Sequence, residues 1–260
     1  MATFLFDDII FGPVKSRRLG VSLGINLLPT KRKICNFNCI YCECGWTKDI
    51  EKAVSQLPRR EEVYSALEWK LSEMKAKGQV PDVITYAGNG EPTLHPGFPG
   101  IIDDSIILRD KYFPDARIAV LSNATTITNP LIKAALLKID MNILKLDSAF
   151  DTTIKRHNQP RVKINVEELI NNLIGFNGKV IIQTLFLRGM HNGIEIDNTT
   201  PVEINAWLNA IERIMPSEVM IYTISRDTPE GARLKKVPLK ELNGIAALVE
   251  SMGIKTQVSG

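Results

Sequence analysis

Cys35, Cys39, Cys42 and Cys44 are the four cysteines of this 260-residue chain, and the first three are spaced C-x3-C-x2-C. That spacing offers three thiolates from one short loop. A four-iron cubane has four corners, and full protein ligation takes four thiolates. Three leave one iron with an open position, where chemistry can occur, whereas a closed shell is structural or carries electrons. Other uses of the thiols stay open at this point. A tetrahedral zinc site needs a fourth ligand, and Cys42-x-Cys44 is tighter than the usual C-x2-C to C-x4-C pairs. Four cysteines in 260 residues are sparse for a disulfide scaffold. Unligated thiols are the remaining alternative.

Tyr41 stands immediately before the third cysteine. A C-x3-C-x2-C triplet with an aromatic residue at that place resembles the signature of the radical S-adenosylmethionine (SAM) superfamily. The resemblance implies a [4Fe-4S] cluster on Cys35, Cys39 and Cys42, whose open iron takes the amino and carboxylate groups of S-adenosylmethionine. An electron then breaks the sulfonium, giving methionine and a 5′-deoxyadenosyl radical that abstracts hydrogen from a substrate. The cofactor carries the hard chemistry, and the protein supplies placement and shielding.

The run Gly88-Asn89-Gly90-Glu91 reads, in isolation, as a turn. Its glycines let backbone approach a ligand closely, and Glu91 adds a carboxylate for an ammonium group. The run resembles the family's Gly-Gly-Glu segment, which holds the amino group of S-adenosylmethionine, with Asn89 replacing a glycine. The opening from Phe11 to Gly20 followed by SLGINLLP, the stretch from Gly90 to Pro96, and Tyr222-Thr223-Ile224-Ser225-Arg226 resemble a subgroup of single-domain iron–sulfur oxidoreductases related to the radical domain of the tRNA wyosine-forming enzymes. Traits of other branches are missing. There is no flavin-binding domain of the wyosine type, too few cysteines for a second four-iron cluster, and no cysteine outside the loop for a two-cysteine methyl relay.

The elements that must position these groups alternate. Strands are expected at residues 21–28, 82–87, 116–121, 141–146, 179–187 and 218–224, from β-branched and aromatic apolar runs. Helices are expected at 59–77, 98–112, 129–137, 165–176, 200–215 and 238–252, from apolar spacing and from caps such as Asn165 and Thr200. A short extended tail follows. Six strands separated by helices argue for an α/β protein with a parallel sheet and right-handed crossovers, in one domain over residues 1–260. Periodicity does not separate an open doubly wound sheet from a curved barrel. The resemblance implies a partial (β/α)6 barrel with the cluster loop after the first strand, and the cysteines do follow the first expected strand.

In barrels of this kind chemistry gathers at the C-terminal strand ends. Those ends offer Gly88 to Glu91, then Ser122 and Asn123, then Lys145 and Asp147, then Gln183 and Thr184 with Arg188 beyond, and finally Tyr222, Thr223 and Arg226. Alternation puts Lys145 and Asp147 on one face. By resemblance that strand meets the ribose of the nucleoside; an internal salt bridge is the equal alternative. His95, His157 and His191 fall near loops, as surface or capping residues.

The net charge of +3 favours no partner class. Lys31, Arg32, Lys33 and Lys48 flank the cysteines and suggest a basic rim that would steer an acidic electron donor, a flavodoxin or ferredoxin. The opening MATFLFDDII carries Asp7 and Asp8 inside its apolar stretch, which argues against a secretory leader. With no apolar run near the roughly twenty residues a bilayer needs, and with thiols expected reduced, a cytoplasmic location and no membrane partner are expected. The substrate stays open among RNA, peptide or protein, and small molecule. Two further readings are an activase that makes a glycyl radical on a partner enzyme and a non-enzymatic metal module.

Overall fold

A computed structural model describes residues 4–16, 18–47 and 57–260. Seven strands run parallel in one curled sheet: β2 (Gly20–Ile25), β3 (Val83–Tyr86), β4 (Arg117–Ser122), β5 (Met141–Lys145), β6 (Ile181–Leu185), β9 (Glu218–Tyr222) and β11 (Lys255–Ser259), each paired to the next in that order. β1 (Ile10–Ser16) is added antiparallel to β2 at the opposite edge. The first six parallel strands are the expected six, in a half-barrel. The extended tail is the seventh, β11, registered on β9 with Gln257 opposite Met220. β1 was not expected as a strand.

Alternation sorts side chains between two cores. Leu23 and Ile25 of β2, Ile84 and Tyr86 of β3, Ile118 and Val120 of β4, and Val219 and Ile221 of β9 belong to one large cluster shared with the helices. Those helices are α1 (Arg60–Ala76), α2 (Phe98–Tyr112), α3 (Pro130–Leu136), α5 (Val166–Ile174), α6 (Pro201–Ile214) and α7 (Leu239–Glu250). The other face makes a small apolar floor of Val83, Ala119, Met141, Ile143, Ile181 and Met220, with Leu19. Two residues further along, the same face carries Leu121, Lys145, Gln183 and Tyr222. A dry floor thus lies under a more polar layer at the C-terminal strand ends, because β5, β6 and β9 switch from apolar to polar at these positions while β4 keeps Leu121.

Several elements depart from the expected pattern. The run 179–187 is not one strand: β6 stops at Leu185, Phe186 inserts into the helix-side core, and β7 (Leu187–His191) leaves the barrel. β7 pairs with β8 (Ile194–Asp197) and β10 (Leu234–Lys236) in a separate three-stranded sheet. The Asn192-Gly193 turn between β7 and β8 has positive φ at both residues, the hairpin geometry that Asn-Gly supplies. A short helix, α4 (Asp151–His157), follows β5. Its seven residues are too few for a helical period to stand out in the sequence.

Candidate functional site

The cysteine loop after β2 is tied down at both ends. Ile34 pairs with Gly90 as a parallel bridge, its N–H donating to Asn89 O at 2.9 Å while Glu91 N–H donates to Ile34 O at 3.0 Å. At the far side Ile40 N–H donates to His157 O at 2.9 Å, and Asn38 N–H donates to Asn158 O at 2.9 Å. Gly90 has φ +136°, and a Cβ there would stand 1.8 Å from Ile34 O. Only glycine lets the two loops meet so closely.

This docking turns the free thiols of Cys35, Cys39, Cys42 and Cys44 into one cavity of about 290 Å³ at the C-terminal strand ends. Gly88, Gly90, Glu91, Ser122, Asn123, Lys145, Gln183 and Tyr41 share its lining. A larger groove of about 590 Å³ lies at the other end of the barrel, beside Gly20, Asp82 and Arg117, and has no cysteine in its walls. All four thiols line the smaller cavity. Among the described residues no three His, Cys, Asp or Glu side chains converge on a point that would hold a single ion. The thiols are spread around a volume instead.

The walls are dressed for thiolates. Asn123 Nδ2 and Phe37 N–H point at Cys35 Sγ, at 3.6 and 3.4 Å, and Asn158 Nδ2 points at Cys39 Sγ at 3.4 Å. Lys33 is buried and donates to Gly45 O at 2.8 Å. Burial opposes its charge, but Cys42, Cys35 and Cys39 around it hold its pKa above the ordinary lysine value. Burial pushes Cys35 up to about 12 and raises Cys39, opposed chiefly by Lys33 and Lys145 respectively. A hydrogen bond from Cys44, aided by Lys33, holds Cys42 down at about 5 against burial.

Glu91 is fully engaged. It caps the 3₁₀ turn Pro92–Leu94 by accepting from Thr93 N–H at 3.1 Å and Thr93 Oγ1 at 2.6 Å, and its other oxygen accepts from Asn123 N–H at 2.6 Å. Burial nonetheless raises its pKa. The loop after β3 is so fastened to the end of β4. Gln183 lines the cavity with Nε2 buried and unpartnered. Such a donor awaits an acceptor, because a buried polar group without a partner is costly.

Six of the expected strand-end residues, Asn89, Asp147, Thr184, Arg188, Thr223 and Arg226, do not line the cavity. Asn89 is fully buried; its amide donates to Phe6 O and Pro29 O, both at 2.9 Å, and so ties the segment before β1 to the loop. Asp147 lies behind the wall. It accepts from the Tyr41 hydroxyl, from Asn158 Nδ2 at 2.7 Å and from Leu185 N–H at 3.0 Å, and stands 3.6 Å from Lys145 Nζ. The internal salt bridge is thus present. The basic rim also needs correction: Lys31 is exposed and Arg32 half-buried, but Lys33 points inward, and Lys48 lies outside the described residues. All three histidines are buried. His95 is the capping residue expected of it, accepting from Gly97 N–H at 3.0 Å.

Asn158 escaped the sequence reading. It follows α4, bonds Cys39, Tyr41 and Asp147 at once, and is 119 positions from Cys39. A lone Asn in a loop carries no local signal of such a role.

No protein-family model matches the chain. A protein described as GTPase Obg from Brachyspira hyodysenteriae is 28% identical over 223 residues, which are 84% of this chain and 30% of that protein. The chain has no G-x-x-x-x-G-K-S/T phosphate loop. A UPF0026 protein of Helicobacter pylori is 29% identical over 238 residues, covering 90% of this chain and 71% of that one. Among solved structures, a radical SAM methyltransferase from Sphaerobacter thermophilus matches with TM-score 0.67 at 14% identity, over 92% of this chain and 65% of its own. Streptococcus suis SuiB bound to the precursor peptide SuiA matches with TM-score 0.63 at 14% identity, over 91% of this chain and 48% of SuiB. Archaeal TYW1 matches with TM-score 0.51 at 15% identity, over 88% and 71%. The chain spans under a third of the first relative and about half of SuiB. Its fold is that of radical SAM enzymes.

Proposed function

We propose that the chain is a radical SAM enzyme whose Cys35, Cys39 and Cys42 hold a [4Fe-4S] cluster and whose remaining cavity takes S-adenosylmethionine. The observation that carries this is the convergence of three free thiols and the Gly88–Glu91 loop on one cavity, at the C-terminal strand ends of a half-barrel. When bound, the cluster supplies the electron that cleaves the sulfonium and starts radical chemistry on a substrate. The protein's part is placement. Lys33 offsets the negative charge of the thiolates, and Asn123, Asn158 and Phe37 N–H donate to sulfur. Such hydrogen bonds and charges tune a cluster's potential.

Gly88 and Gly90 bring backbone carbonyls to the cavity edge, where an ammonium group can be received, and Glu91 keeps that edge in shape. Gln183 Nε2 offers a donor to the nucleoside, and Ser122 and Asn123 line the cavity from the end of β4. Lys145, held charged by Asp147, keeps a cation under the ring of Tyr41, 5.2 Å from its centroid. Leu121, Leu185 and Phe37 keep water from the apolar side of the cavity.

The electron would come from an acidic flavodoxin or ferredoxin docking near Lys31 and Arg32, in the cytoplasm. No helix among the described residues is long and apolar enough to cross a membrane. The substrate class stays open among RNA, peptide and small molecule.

The test is anaerobic reconstitution with ferrous ion and sulfide, then addition of S-adenosylmethionine and dithionite. The expected result is about four irons per chain and release of 5′-deoxyadenosine, both lost in Cys39→Ala. Bound zinc without iron, or a brown protein that releases no 5′-deoxyadenosine, would reject the reading.

A further inference from the structure

Arg18 precedes β2 at the bottom of the barrel, yet its side chain reaches the cavity wall above the floor. It lines the bottom groove, the cysteine cavity and a small adjoining pocket of about 50 Å³. Its guanidinium lies 4.6 Å from the centroid of the Tyr222 ring. Its backbone carbonyl accepts from Gln257 Nε2 of β11 at 2.9 Å, so the segment bridges the open seam between β2 and the last strands. Nη1 is buried and has no hydrogen-bond partner, and among the described residues no carboxylate pairs with the group.

The nearby cations are otherwise answered. Lys145 has Asp147 at 3.6 Å, Arg226 has Glu43 at 2.8 Å, and Lys33 has the thiols. At the bottom of the barrel Asp82 is engaged by Val21 N–H at 2.7 Å. A half-buried guanidinium whose Nη1 is buried without a partner is costly to the fold, and a ring face offsets only part of that cost. Its planar fork of donors matches a carboxylate or phosphate.

We infer that Arg18, stacked on Tyr222, is the recognition point for an anionic group of the substrate, a carboxylate or a phosphate, entering through the pocket between Arg18, Tyr222 and the Glu43–Arg226 pair. The inference rests on the cavity being the reaction chamber. It assigns the seam side to the substrate and the Gly88–Glu91 side to S-adenosylmethionine. The exposed Arg226–Glu43 pair stands at the mouth of that route.

The experiment uses the reconstituted, S-adenosylmethionine-loaded protein, with inorganic phosphate followed by ³¹P line broadening and trifluoroacetate by ¹⁹F. The expected result is saturable broadening of one of the two anions, weakened at least tenfold in Arg18→Met and partly restored in Arg18→Lys. S-adenosylmethionine affinity should be unchanged, and the melting temperature of Arg18→Met should be equal to or above that of the parent. The anion that binds names the group. Equal broadening in Arg18→Met overturns the inference. So does a loss of S-adenosylmethionine affinity in its place, which would give the guanidinium to the carboxylate of S-adenosylmethionine. Should Arg18→Met fail to fold, phenylglyoxal labelling of the parent decides: protection of Arg18 by the bound anion is expected, and labelling unaffected by either anion overturns the proposal. Anion binding is also measured on the protein without iron, so a failed reconstitution is seen separately from a failed anion site.

Discussion

Asp147→Ala tests how the cysteine loop is held to the barrel. The carboxylate is wholly buried and gathers four partners from four parts of the chain: Tyr41, Asn158, Leu185 N–H and Lys145. Removing it leaves the Lys145 ammonium, whose side chain is 14% exposed, beside an empty space. Breaking a buried ion pair by deleting one partner costs about 3–5 kcal/mol. The orphaned Leu185 N–H adds about 1 kcal/mol or more. Lys145 recovers part of the loss by leaning on the Tyr222 hydroxyl, already 3.3 Å away, so about 4 kcal/mol is expected. That is a large share of the roughly 5–15 kcal/mol that stabilises a typical domain. Asp147→Asn keeps the shape and one acceptor but not the charge, and is expected to lose about half as much. Urea unfolding of the iron-free protein, followed by far-UV circular dichroism and tryptophan fluorescence, measures both. With an m-value of about 3 kcal/mol/M, the midpoint of Asp147→Ala falls by about 1.3 M. Coincidence of the two probes checks that the transition is two-state. A shift below about 0.3 M, under ~1 kcal/mol, would mean the loop is anchored elsewhere.

Three other outcomes are expected. Gly90→Ala forces a non-glycine residue to φ +136° and drives its Cβ into Ile34 O. It should cost about 3 kcal/mol or more, counting backbone strain of about 1–3 kcal/mol, and should halve iron retention after reconstitution, read by iron analysis and urea melts. His157 is buried, and burial lowers its pKa from 6.5 to about 4, with Asp147 and Asp197 partly offsetting. The unfolded chain therefore binds the proton first as pH falls. The stability due to the neutral ring is complete above about pH 6.5 and is lost down to about pH 4, some 3 kcal/mol in all. His157→Phe should flatten that slope in melts of the iron-free protein; an unchanged slope would assign it to other groups. Reversing charge at the surface, Lys31→Glu with Arg32→Glu, should slow reduction by flavodoxin about tenfold at low salt, a difference that fades above about 0.5 M salt. Stopped-flow reduction that is unaffected would place the donor elsewhere.

Much of this molecule was legible in its residues. The six barrel strands are short β-branched runs parted by helical periods, and local period alone reports them. The cysteine triplet is equally local, since its chemistry needs three thiols on one loop. Gly88 and Gly90 stood out because glycine pairs after a strand mark close backbone approach, and Gly90 does meet Ile34. Other assignments needed the folded chain. Lys33 sits in a basic run and reads as a solvated cation, yet the loop turns it into the thiols. Asn89 lies in the motif but serves the segment before β1, and Asp147 braces the wall from behind. β6 breaks at Leu185 because Phe186 finds a place in the helix-side core, which no alternation within the strand could announce. Asn158 and Arg18 meet their partners only across long stretches of chain. Chemical type and spacing along the chain set what this loop can bind; which buried charge is answered, and by which residue, was decided by tertiary packing, because burial and the neighbour across the barrel are properties of space rather than of sequence.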